Sequence, residues 1–132
     1  MVKPRATAID RSTLVENLVC AMLAVNNWPL EQAYALRENL EKEGLTDLAR
    51  LRRMQHQEVF AALRRAGYTK ADFVTGLLVE RLQDMAEKLR GKLDEVDGLL
   101  KTDPDRAETF LASIKGVGPV VIRNFLMLHG RQ

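Results

Sequence analysis

The segment Leu111-Ala112-Ser113-Ile114-Lys115-Gly116-Val117-Gly118-Pro119 is where one helix ends and the next begins. Upstream of it, Asp103-Pro104 supplies an N-cap residue followed by proline at the first helical position. Ala107, Phe110, Leu111 and Ile114 then fall at i, i+3, i+4 and i+7, one face of a helix. Lys115-Gly116-Val117-Gly118 stops that helix. Pro119 opens a second, with Val121, Ile122, Phe125 and Leu128 apolar and Gly130 at its end. Two glycines one residue apart let the backbone turn sharply and approach a ligand closely. Val117 between them can pack inward and lock the turn. The second helix presents free N–H groups at its start, where an anion is favoured. Pro119 has no N–H, so the donors come from the turn and from the residues after it. A DNA phosphate suits such a site. A tight helix–helix turn, with glycines serving geometry alone, is the competing reading.

The same punctuation extends back through the chain. Leu14, Leu18, Met22 and Val25, flanked by Val15, Val19 and Leu23, predict a wide apolar helix starting from a cap within 10–13. Thr13-Leu14-Val15-Glu16 has capping-box spacing. Asn26-Asn27-Trp28 breaks the pattern, and Pro29 opens a helix expected to run to Glu43, with Gly44 as its stop. Thr46 caps a short basic helix over 47–54, and another covers 57–66 and ends at Gly67. Thr69 caps the longest helix, 70–90, with Phe73, Leu77, Leu78, Leu82, Met85 and Leu89 as its inward stripe. Residues 93–100 predict a short helix or turn. No run has strand periodicity. The expectation is an all-α, compact domain of seven or eight helices over 12–132, closed by the helix pair at 104–129 and preceded by a flexible arm over 1–11.

Composition narrows the function classes. The chain has 132 residues, one domain by size. Aromatics at 5% and charged residues at 29% suit helices, and only four prolines and eight glycines argue against a loop-rich or disordered chain. The longest apolar stretch, Leu18 to Val25, is too short to span a membrane. No signal-peptide pattern opens the chain, so a cytoplasmic location is the default. The single cysteine, Cys20, excludes an internal disulfide and any cysteine-built metal or iron–sulfur site, and no cofactor is expected. A net charge of +2 permits a polyanionic partner without requiring one.

Four segments together resemble the endonuclease III-like DNA glycosylases of the helix-hairpin-helix superfamily. Ile114-Lys115-Gly116-Val117-Gly118-Pro119 resembles the family's hairpin. Residues 18–26 resemble its first core helix, which leads into a loop carrying a polar DNA-inserting residue. Ala66-Gly67-Tyr68-Thr69-Lys70-Ala71-Asp72-Phe73 resembles its glycine–aromatic turn with Lys-Ala opening a long helix. Asp103-Pro104-Asp105-Arg106-Ala107 resembles the start of the helix before the hairpin. The segments occur in the family's order and cover 12–130. The resemblance implies the six-helix barrel domain of that superfamily, and base flipping with glycosidic-bond cleavage as the family's chemistry. It places Asn26 at the wedge position, with Asn27 and Trp28 beside it. A helix C-cap is the plainer reading of Asn26, and packing against proline the plainer one of Trp28.

The sequence also departs from the family. Its bifunctional members carry their Schiff-base lysine two residues after the second hairpin glycine, and that position is Val120. The family's aspartate would lie beyond Gln132, and its second domain and four-cysteine cluster are not expected within residues 1–132. His56 and His129 lack metal-ligand spacing and read as a surface residue and a helix-end residue. Glu80, Asp84 and Glu87 read as a solvated face of the long helix, as do the basic clusters Arg50, Arg52, Arg53 and Arg64-Arg65 on theirs.

The expected function is therefore double-stranded DNA binding without independent catalysis. Lys115, Gly116, Val117, Gly118, Val120 and Arg123 would make the contact at the hairpin, with Asn26 and Asn27 at the wedge. Two alternatives stay open: a glycosylase, or part of one, that takes its aspartate from outside this chain, and an interaction domain that does not bind DNA. A further expectation concerns Val120, Val121, Ile122, Phe125, Leu126, Met127 and Leu128. They make the last helix apolar around most of its circumference, which predicts a homodimer or partner chain packed against 120–129.

Overall fold

A computed structural model describes residues 12–25 and 28–130. The proposed arm over 1–11 and the candidates Asn26 and Asn27 lie outside the described residues. Nine α-helices and no strand occur among those described: α1 Thr13–Leu23, α2 Leu30–Ala35, α3 Arg37–Lys42, α4 Leu48–Arg53, α5 His56–Ala66, α6 Asp72–Lys88, α7 Leu93–Thr102, α8 Pro104–Ala112 and α9 Pro119–His129. No helix among them is long and apolar enough to cross a membrane.

The centre of the molecule is α1. Nine of its residues are buried, from Leu14 to Leu23 with Asn17 among them. A helix apolar on nearly every side must be covered on nearly every side. Here α9 covers it most extensively, and α2, α3 and α6 complete the sheath. Behind α6 lie α4 and α5, while α7 and α8 pair with each other at the α9 edge. Cys20 sits wholly inside this core, where burial pushes its thiol up to about 12. A thiol that stays protonated is a poor nucleophile, so Cys20 acts as a small apolar side chain.

Several sequence expectations shift. Ser12, inside the expected 10–13 window, caps α1, its Oγ accepting from the Val15 N–H at 3.4 Å, so the Thr13–Glu16 spacing is not the cap used. The helix expected over 30–43 is two helices that meet at Leu36. Asp47 caps α4 in place of Thr46, accepting from the N–H groups of Ala49 and Arg50. Residues 93–102 form a full helix. The largest displacement is at Phe73, expected inside and found 76% exposed. The buried side of α6 is Thr75, Leu78, Val79, Leu82, Met85 and Ala86, a clean 3–4 spacing that leaves Phe73 off the core face. Thr75 occupies the inner position of that first turn, its hydroxyl donating to the carbonyls of Lys70 and Ala71.

The basic clusters are more engaged than a solvated face would be. Arg64 donates to the Tyr68 and Lys70 carbonyls and to Asp72, stitching together the turn that leads into α6. Arg65 pairs with Glu43 at 2.9 Å. Beneath that turn, the rings of Trp28 and Tyr68 meet at 5.0 Å, which fits Trp28 as a packing residue. The indole Nε1 is buried with no acceptor among the described residues.

Glu16, on the first core helix, gives the fold a pH dependence. Burial, then the nearby Glu41, raises its pKa, with Arg37 opposing. A carboxyl group that binds its proton more tightly when folded adds stability at low pH and loses it as pH rises through the folded value. Glu16→Gln is therefore expected to be more stable than the parent at neutral pH. The advantage should shrink to nothing as pH falls below the usual carboxylate range. Urea titrations at several pH values check this, and a difference that does not change with pH would contradict it.

Candidate nucleic-acid interface

The hairpin is built by two helices and held by a third. Asp103 caps α8, its carboxylate accepting from the Arg106 N–H, with Pro104 in the first turn. After α8 ends, the Val117 N–H donates to the Ile114 carbonyl at 3.0 Å and closes the turn. Gly116 takes φ of 83°, the left-handed region where a β-carbon is disfavoured. Ile114 and Val117 are both buried, so the turn is locked from inside, as Val117 was expected to do. Gly118 is extended, at φ −109° and ψ −167°, and starts α9. The first helical hydrogen bond of α9 runs from the Ile122 N–H to the Gly118 carbonyl at 3.0 Å. The N–H groups of Gly118, Val120 and Val121 have no acceptor among the described residues. They are the donors that the missing N–H of Pro119 shifts to its neighbours.

The clamp from α6 was not anticipated. The Asp84 carboxylate accepts from the Lys115 N–H at 2.8 Å and pairs with Lys88 at 3.4 Å. Lys88 Nζ in turn donates to the Ser113 carbonyl at 2.9 Å. Lys115 Nζ lies 3.9 Å from Glu80. Glu80 and Asp84 are thus a docking face for the hairpin, a correction to their reading as a merely solvated stripe. Arg81 lies over Gly116 so closely that a β-carbon on the glycine would run into its Cδ and Cγ. Arg81 makes no ion pair among the described residues, and its side chain lies beside the turn. The signal for this face was present in the sequence as Glu80, Arg81, Asp84 and Lys88 at helical spacing, but only the fold shows that the hairpin lands on them.

The remaining candidates divide. Lys115 is exposed at the turn. Val120 is 50% exposed and presents only methyl groups to solvent. Arg123 is exposed one turn into α9, but it faces a groove shared with α8. His129 is the last residue of α9, as its helix-end reading expected, and it is also tied into the core edge. Its Nδ1 accepts from Asn17 Nδ2 at 3.0 Å, and its ring stacks on Phe125 at 5.0 Å. Neither histidine belongs to a metal-ligating group, and no cluster of three such residues occurs among those described.

Comparisons with family models, curated proteins and solved structures find no match. The functional reading therefore rests on this site's geometry and on the sequence resemblance.

Proposed function

We propose that this chain binds double-stranded DNA through the 113–121 hairpin, gripping a backbone phosphate, and that it does so without catalysing base release by itself. The observation that carries the reading is the set of unanswered N–H groups at Gly118, Val120 and Val121. They open α9, an 11-residue helix, so the helix dipole adds to their attraction for an anion. Lys115 and Arg81 flank them with positive charge, set against Glu80 and Asp84 on α6, and residues 115–132 themselves contain no carboxylate side chain. Contacts of this kind hold the sugar–phosphate backbone and carry no base information. Affinity should therefore be sequence-tolerant and fall steeply with salt.

Gly118 offers the test. A β-carbon there meets nothing within 4 Å, and its φ is ordinary for any residue. Gly118→Val is expected to fold, losing only the few tenths to about 1 kcal/mol that a poorer N-cap costs. Its side chain would stand where the phosphate must approach. Duplex affinity, read by fluorescence anisotropy at low salt, should fall by about tenfold or more, and equally on unrelated sequences. A folded Gly118→Val protein with parental affinity would end the proposal, as would a parent that fails to bind duplex at low salt.

A further inference from the structure

Three of the four large hydrophobic residues exposed among those described lie on one helix, α9: Val120 at 50%, Leu126 at 36% and Met127 at 50%. Leu126 and Met127 form one wall of a groove of about 770 Å³ between α8 and α9. Ile122 and Pro119 extend that wall, and Ala112 continues the apolar floor on the α8 side. Concentrated apolar surface of this kind marks an interface.

The charges around the groove indicate what fills it. Asp105 and Glu108 project from the α8 wall, and Arg123 from the α9 wall. None of the three has an ion-pair partner among the described residues. The groove therefore carries an unanswered acidic edge, an unanswered basic edge and an apolar ridge between them. A surface with both members of a complementary pair can match itself when turned about a two-fold axis. Methionine and arginine are also among the residues enriched at interface cores.

We propose that the α8–α9 groove is the seat of a second copy of this chain in a two-fold homodimer. The Leu126–Met127 ridge of each copy enters the groove of the other. Arg123 of each copy then meets Asp105 and Glu108 of the other, giving two equivalent sets of ion pairs. Arg123 serves the dimer in this arrangement, and phosphate attraction rests on Lys115, Arg81 and the N–H groups.

Sedimentation equilibrium without DNA tests the proposal independently of the phosphate reading. The full chain should pass from monomer to dimer as concentration rises. Leu126→Asp should weaken association at least about tenfold by placing an unpaired charge in the ridge. Glu108→Arg and Arg123→Glu should each do the same by setting like charges against one another. An equimolar mixture of those two variants should associate as a one-to-one heterodimer more tightly than either variant alone, because the two reversed charges then face each other, with the unaltered Asp105 holding the mixture below parental affinity. Circular dichroism confirms that each variant keeps its helices. A parent that stays monomeric at millimolar concentration overturns the proposal, and so does a dimer that survives Leu126→Asp. Failure of the mixture to associate better than either variant alone overturns the charge pairing, and with it the choice of a second copy as occupant.

Discussion

Phe125→Ala is expected to destabilise the domain by about 3–5 kcal/mol, the range for deleting a fully buried aromatic side chain. Phe125 is wholly inside and lies on the face of α9 that packs against α1, the most extensive helix pairing in the molecule. Its ring also supports His129 by stacking, and His129 in turn bonds Asn17 on α1. Removing the ring opens a cavity at that junction and unseats the histidine. Total stability of a domain is typically about 5–15 kcal/mol, so the loss takes a large share of it. Urea denaturation followed by circular dichroism measures it. A loss below about 1 kcal/mol would show that α9 is not anchored through this residue.

Gly116→Val should be the most damaging change at the hairpin, for reasons opposite to those at Gly118. At φ of 83° a β-branched side chain is a genuine outlier, costing on the order of 1–2 kcal/mol by itself. Its β-carbon would also displace the Arg81 stem. The turn would have to rebuild, breaking the Val117-to-Ile114 closure and the Lys115-to-Asp84 bond with it. The expected outcome is a lower melting temperature together with lost duplex binding. Gly118→Val should lose binding while its melting temperature barely moves. Identical behaviour of the two variants in both assays would contradict the separate roles given to the two glycines.

The hairpin was legible in the sequence because each of its parts has its own chemical signature. Asp103-Pro104 starts α8, Gly116 takes the left-handed turn, and Pro119 restarts the helix. The central helix was equally legible, since an unbroken apolar run from Leu18 to Val25 leaves little choice but burial. Phe73 shows where such reading stops. The apolar residues of α6 support two overlapping stripes, and only its packing against α4 and α5 selects the one through Thr75. The break at Leu36 leaves no glycine or proline in the sequence to mark it. Long-range pairings are the least visible of all. Asp84 meets Lys115 across 31 positions, and Asn17 meets His129 across 112, with no local spacing to announce either. At the α8–α9 groove, the excess of apolar residues on α9 was visible, whereas the acidic wall opposite Arg123 needed the fold to bring it there.

Trp28 is the chain's single tryptophan. Its indole is shielded from water, leans on Tyr68, and has no acceptor for its N–H among the described residues. An indole in such surroundings emits at shorter wavelength than one in solvent, so the native fold carries its own fluorophore in a dark, dry background. That fluorophore is two positions along the chain from Asn26 and one from Asn27. Any ligand that changes the polarity around Trp28, or supplies an acceptor to its N–H, acts on a group whose emission responds. The chain thus provides an optical readout of the Trp28–Tyr68 junction with no label attached.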